Sequence, residues 1–406
     1  MSYYYFGVEI EVIAEPHHVQ DPLLRRVYYE KLARALNRHG LLATADKLDG
    51  SRYCKHAEFY DSHWWITKDG SLKDPSYPRI PLEAVSPILT TAVRWEDEVD
   101  TFWRAWDDVF EPPDASSLCG SHIHVSRYPQ KMFSLTQLKN IAIGVILFEP
   151  LVHELLPECR QDNKYCRRNT QRSAQLRNMG SDYGAQLWEV CRYISEEIED
   201  TEELRDFMQE NTGKREDRYV LWNFDNILPG ESGSIEFRGG HGLRGPSETR
   251  KWIAFVVAFI HLCIETRYDD WELIDVSYSK MPGENDRVYL LNFYTKGCSI
   301  ARSNPLYYMG RFWEDLNEAA RFLDVREHLP ACYDDMMGLY SRDCNDEFEG
   351  YDDDSSIMSK GEFQSSDSEF SDDKDPYDED TDDHESYGKD SDEDSDSGHS
   401  YDYYSD

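Results

Sequence analysis

Apolar and polar positions alternate over Val8–Val12, with Val8, Ile10 and Val12 on one parity and Glu9 and Glu11 on the other, inside a stretch rich in aromatic and β-branched residues, and a strand is predicted over Tyr3–Ala14. The period then lengthens. Asp21 and Pro22 suit the N-cap and first turn of a helix whose apolar residues run through Leu36, with Gly40 as its stop. Short strands are predicted at His63–Thr67, which ends in the turn Lys68-Asp69-Gly70-Ser71, and at Pro81–Leu89, which Pro87 interrupts. An acidic helix is expected from Trp95 to Val109 and a strand over His122–Val125. Ser134 caps a long apolar helix that reaches Leu156 with a kink at Pro150. Asp182–Gln209 reads as mostly helical, Val220–Phe224 and Ser234–Phe237 as strands. Pro246 opens a buried helix containing Trp252–Ile264, and Arg311–Phe322 reads as a last amphipathic helix. Strands and helices interleave without a βαβ rhythm, so the expected class is α+β, with an antiparallel or mixed sheet backed by helices.

Three of the predicted strands carry two polar side chains at i and i+2 around an apolar residue: Glu9-Ile10-Glu11, His122-Ile123-His124 and Glu236-Phe237-Arg238. Residues i and i+2 of a strand share a face. Carboxylates, imidazoles and a guanidinium on one sheet face are costly unless paired or metal-bound, and they suit a site for divalent metal and phosphate. Each pair also has an ordinary reading, as a solvated acidic face, two satisfied histidines, or a local ion pair. Glu83, in the apolar segment Pro81–Pro87, is a further candidate metal carboxylate or an exposed acid. Asp69-Gly70-Ser71 is a turn by composition, and Arg160, Arg167 and Arg168 form either a phosphate-binding surface or a solvated helix end.

The formal net charge of −37 is unevenly spread, because residues 341–406 hold 26 acidic against 4 basic side chains. That Asp/Ser/Glu-rich tail has too little to bury to offset its ordering entropy, so disorder is expected there and a folded domain over residues 1–340. Such a tail suits a basic partner. The overall acidity argues against a nucleic-acid partner bound through phosphates. Nine scattered cysteines without a CxxC pair, and no basic-then-apolar leader, point to reduced thiols in a cytoplasmic or nuclear protein that is not secreted. The apolar runs Ile141–Phe148 and Trp252–Ile264 are too short to span a membrane, so buried helices and no membrane are expected.

Taken in order, these segments resemble one family, the amidoligases of the glutamine synthetase and glutamate–cysteine ligase superfamily, in a fungal-type version. The resemblance spans about residues 4–270. It rests on Phe6-Gly7-Val8-Glu9-Ile10-Glu11, Ile66-Thr67-Lys68-Asp69-Gly70-Ser71-Leu72, Glu83-Ala84-Val85-Ser86-Pro87 and Cys119-Gly120-Ser121-His122-Ile123-His124-Val125. Arg160 with Asn163, Tyr165 and Cys166, then Arg218-Tyr219 with Asn223, and Ile235-Glu236-Phe237-Arg238 complete it. No single motif is decisive; the ordered set carries the likeness.

The resemblance implies a curved antiparallel sheet forming an open half-barrel, and an ATP-dependent ligase that joins a carboxylate to an amine through an acyl phosphate. It implies Mg²⁺, with Mn²⁺ as a substitute, on Glu9, Glu11, Glu83, His122 and Glu236. His124, Arg238 and, more weakly, Arg160 match groups that contact ATP phosphates or another anion. Arg238 and Glu236 would act at the transferred phosphoryl group, and Asp69 is the candidate acceptor of the amine proton. The acid and amine remain open among small molecules, peptides and protein side chains. Two other classes compete: a binding or regulatory protein on the same fold without catalysis, and a zinc-dependent amide hydrolase built on His122 and His124.

Overall fold

Burial alternates along strand β1, Tyr4–Ala14, except at Glu11, which is buried as well, in the computed structural model, which describes residues 3–46, 61–266 and 305–330 apart from 22, 69–71, 73–74, 115, 117, 162 and 182–186. Tyr4, Phe6, Val8, Ile10 and Val12 are buried on one face, and Tyr5, Gly7, Glu9 and Glu11 share the other. The strand is central in an eight-stranded sheet. The order is β2 (Ala43–Ala45), β3 (Trp64–Thr67), β4 (Ile80–Val85), β1, β6 (Gly120–Arg127), β8 (Ile235–His241), β7 (Trp222–Asn223), with β5 (Leu89–Thr90) also paired to β1. Among the described residues the sheet does not close on itself, and β2 and β7 form its edges. β2 and β3 run parallel and the other pairs are antiparallel, so the sheet is mixed rather than wholly antiparallel.

Helices cover the apolar face. Among the described residues the helices are α1 (Arg25–Arg38), α2 (Glu96–Trp106), α3 (Leu135–Glu154), α4 (Glu158–Gln161), α5 (Asn169–Arg172), α6 (Ala174–Ser181), α7 (Leu187–Glu196), α8 (Thr201–Met208), α9 (Pro246–Glu265) and α10 (Pro305–Phe322), and α4 carries Arg160 toward the polar face. The helix α9 is apolar nearly all round because it is buried nearly all round. Trp252, Phe255 and Phe259 lie against β8 and β7, with Phe237–Trp252 and Trp222–Phe259 ring centroids 5.5 and 4.7 Å apart. Each such fully buried side chain contributes roughly 1.5–3 kcal/mol. Tyr4 reaches through the same layer, and its hydroxyl shares a hydrogen bond with His261 Nδ1 at 2.9 Å. By length and composition α3 is long and apolar enough to cross a membrane, and here it is mostly buried inside the fold.

Several boundaries differ from expectation for identifiable reasons. The first helix starts at Arg25, with Leu24 at its N-cap and no side-chain cap, instead of following Asp21. The Tyr28 hydroxyl bonds His18 O and Gln20 N and holds that stretch as a loop against the helix. The strand over Pro81–Leu89 is two strands. After Val85 the Ser86 hydroxyl accepts from Val8 N at 2.9 Å, Pro87 cannot donate, and pairing resumes at Leu89. Ser134 does cap α3, in a capping box with Gln137, and Pro150 lies inside that helix. β8 runs on through Gly239 and Gly240 to His241; a Cβ at Gly240 would lie 2.7 Å from the Ser121 carbonyl, so close strand contact demands glycine there. The acidic tail expected over residues 341–406 lies outside the described residues.

Asn169 ties this framework together. It is fully buried, donates to Met208 O at 3.1 Å and Trp222 O at 2.8 Å, and accepts from Trp222 N at 3.0 Å. Its amide thus serves edge strand β7 as a further strand would. Asn169→Ala leaves three buried backbone groups unpaired, and a loss of about 3 kcal/mol is expected in urea unfolding; an unchanged midpoint would refute this bracing role.

Candidate functional site

Register brings polar residues of five strands side by side. Directly opposed residues of an antiparallel pair project to the same face. On one side of β1, Glu11 faces Glu83; on the other, Glu9 faces His122 and Gly7 faces His124. In turn His124 faces Glu236, and Glu236 faces Asn223 on β7. The intervening residues Ile10, Ile123 and Phe237 turn to the helical side and are buried there. The three i, i+2 pairs therefore converge, with Glu83 in line beside Glu11.

Glu9 is the hub, bonded from His122 Nδ1 at 2.8 Å and from His124 Nε2 at 3.1 Å. His122 Nδ1 also lies 3.4 Å from Glu236 Oε1, and its Nε2 lies 3.7 Å from Glu11 Oε1. Arg238 Nη1 donates to Glu236 Oε1 in a close contact, while Asn223 Nδ2 donates to Glu236 Oε2 at 2.8 Å. Glu11 accepts from the Gly120 backbone N–H at 3.0 Å. A Cβ at Gly120 would fall 2.9 Å from that Glu11 oxygen and 3.2 Å from Arg160 Nη2, so both charged groups crowd against the bare glycine.

Arg160 is 2 % exposed and donates from Nη2 to the Arg238 carbonyl at 2.7 Å, while its Nε has no partner. Arg238 is also bonded from Nε to Tyr165 O at 3.3 Å, and its guanidinium lies 5.9 Å from the Tyr219 ring centroid. Of the residues singled out in the sequence, Glu9, Glu11, His122, His124, Glu236, Arg238 and Arg160 thus gather in one cluster. Asp69 and Ser71 lie outside the described residues.

Charge balance sets the protonation states. Burial alone pushes the Glu9 carboxyl up, but the charge of His124 and hydrogen bonds from both histidines outweigh it and hold Glu9 well below the ordinary range. Burial opposes ionisation of Glu236 too, yet Arg238, His124 and His122 bring it down to about 2. Burial pulls His124 down, but Glu9 and Glu236 more than reverse that and raise it. Both carboxylates are ionised at neutral pH, and cationic side chains offset them. The neighbouring Cys119 thiol is pushed up to about 12 by burial, and burial also raises Cys166. Neither supplies a thiolate at neutral pH.

Ligand atoms of Glu9, His124 and Glu236 lie within 4.8 Å of one another, which suits one ion held by two carboxylates and an imidazole. A second such group, Glu96, Glu327 and His328, lies away from this sheet face, and Glu327 is exposed. Three further neighbours join the site, of which only Ser234 stands in a segment singled out in the sequence. Asn226 Nδ2 and Ser234 Oγ each approach His124 Nδ1 at 3.4 Å, and Asp46 accepts from the Thr67 hydroxyl in a close contact. Thr67 lies opposite Glu83, so Asp46 extends the polar face toward β3. Ser234 stands two residues before Glu236 and extends that i, i+2 row, whereas Asp46 and Asn226 sit in no such row and are revealed by tertiary placement alone.

No family model matches the chain, and a search of curated proteins finds none that matches it.

The Glu236–Arg238 pair is a buried ion pair in which each partner satisfies the other. Arg238→Met leaves Glu236 without its nearest cation, and destabilisation of about 3–5 kcal/mol is expected in chemical denaturation. A loss below about 1 kcal/mol, the range of an exposed pair, would show that the pair is not a structural contributor.

Proposed function

We propose that this chain is an ATP-dependent carboxylate–amine ligase, an amidoligase on a glutamine synthetase-like open half-barrel, working with Mg²⁺ or Mn²⁺. The observation that carries this reading is the convergence of Glu9, His124 and Glu236 on one sheet face beside two buried arginines. The donor set fits the metal: oxygen-rich with one imidazole, the preference of hard divalent ions. Glu9, His124 and Glu236 would hold one ion, and Glu11, His122 and Glu83, on the same face, are the candidates for further coordination. When bound, such ions offset the charge of ATP phosphates and of the phosphoryl group in transfer.

The chain's own groups suit the rest of the chemistry. A carboxylate is a poor acyl donor because its oxygen leaves poorly. Attack of that oxygen on the γ-phosphorus expels ADP and forms an acyl phosphate; attack of the amine nitrogen on the acyl carbon then expels phosphate and leaves an amide. Arg238, fixed by Glu236 and the Tyr165 carbonyl, offers guanidinium protons toward the transferred phosphoryl. Arg160, buried with an unpartnered Nε, suits an anionic group. Asp69 remains the proposed acceptor of the amine proton. A small acid or amine, a peptide, or a protein side chain would serve as substrate.

One observation favours a second reading, a non-catalytic binding protein. The carboxylates of Glu9 and Glu236 are already balanced by His122, His124 and Arg238, so the cluster satisfies itself without a metal. A zinc hydrolase on His122 and His124 is less well supported, since the grouped ligand atoms include one imidazole and no thiolate. Calorimetry separates these readings. With Mg²⁺ present, the wild type is expected to bind ATP, and Glu9→Gln and Glu236→Gln are each expected to weaken it at least tenfold. Absence of binding by folded wild-type protein would remove the ligase reading, and tight stoichiometric zinc would favour the hydrolase.

A further inference from the structure

The polar face does not end at Gly7 and His124. Continuing along β1 on the same parity are Tyr5 and then Tyr3; along β6 come Ser126 and then Tyr128. Tyr5 faces Ser126 on one side and Thr90 on the other. The Tyr128 ring lies 4.9 Å from the Tyr5 ring and 6.0 Å from the Tyr3 ring, tilted at 50° and 82°. All three rings are half-buried, so each keeps open surface. Their partners on the opposite parity behave differently. Tyr4 is wholly buried among the helices, and Arg127 covers its ring with the guanidinium 5.3 Å from the centroid.

Between this aromatic shelf and the acidic cluster stands Gly7, where a Cβ would meet only Ser86 Oγ at 3.7 Å. With no side chain at Gly7, nothing from β1 itself blocks the path between the two. Four residues separate Glu9 from Tyr5, a strand length of about 13 Å. That span is of the order of an extended nucleoside triphosphate from its terminal phosphate to its base.

We propose that Tyr5 and Tyr128, backed by Tyr3, form the shelf on which the aromatic base of the nucleotide stacks while its phosphates lie over Gly7 toward Glu9, His124 and Arg238. This rests on the ATP-dependent reading above and adds to it which end of the face takes which end of the nucleotide. A base offers a flat π-face and tyrosine offers a rigid one with few rotamers to lose, so stacking is favourable with little ordering cost. The small polar residues Thr90 and Ser126 flank Tyr5 without covering it as a large side chain would.

The test compares ATP with inorganic tripolyphosphate, which has the phosphates and no base. Both are titrated in Mg²⁺ against wild type, Tyr5→Leu, Tyr128→Leu and the ring-retaining Tyr5→Phe. Wild type is expected to bind ATP on the order of tenfold to a hundredfold more tightly than tripolyphosphate. Both leucine variants should lose most of that preference while holding tripolyphosphate as wild type does, which also reports an intact fold. Tyr5→Phe should keep it. Equal affinity of wild type for the two ligands would overturn the shelf while leaving the phosphate site standing, as would an ATP preference that survives in both leucine variants. Binding of neither ligand by wild type would remove the parent reading and the shelf with it.

Discussion

Pairing of β1 between β4 and β6 is the constraint on which the rest of the molecule depends. The strand is held on both sides by antiparallel neighbours, and its register sets Glu11 against Glu83 and Glu9 against His122. A slip of one residue would turn Val8, Ile10 and Val12 toward the polar side and drive the glutamates into the helical core. The apolar parity therefore enforces the polar one. Burial of Val8 and Ile10 against the helices fixes where Glu9 and Glu11 stand.

The cost of this arrangement is buried charge. Glu11, His122, Glu236, Arg238 and Arg160 are all buried, in a region where unpaired ions are strongly disfavoured. The cluster offsets that cost by giving each carboxylate hydrogen-bond donors: Glu9 has two histidines, Glu236 has Arg238 and Asn223, and Glu11 has a backbone N–H. Second contacts then hold each charged partner in place. Asn169 braces the edge strand that carries Asn223, and the Tyr165 carbonyl fixes Arg238. An array pinned this firmly is suited to meeting a charged ligand without rearranging, which is how oriented dipoles and ions act most strongly.

Much of the fold was legible in the chain because local periodicity and capping agree with the tertiary structure. The alternation of β1, the Ser134 cap of α3 and Pro246 at the start of α9 are each local signals that survive packing. What failed locally was decided by distant partners. Ala43–Ala45 has little β character of its own and becomes a strand by lying beside β3. Gly239 and Gly240 hide the second half of β8, because the close approach that requires them comes from elsewhere in the sheet. The same division runs through the candidate site. The i, i+2 rows are visible in sequence, but their meeting depends on register across β1, β6 and β8, and Asp46 and Asn226 carry no spacing that marks them. The resemblance gives the expectation of a ligase; the geometry gives a cluster of carboxylates, imidazoles and guanidinium groups, and metal binding, phosphate binding and the reaction stand as proposals.

The claim most open to direct test is that this face holds a divalent ion between β1, β6 and β8. Crystals soaked in Mn²⁺ and measured across its absorption edge would locate the ion by anomalous scattering. The account predicts a peak bounded by Glu9, His124 and Glu236, lost in a Glu9→Gln crystal of the same form. A well-ordered sheet with no manganese on this face, or with manganese only at other sites, would contradict it.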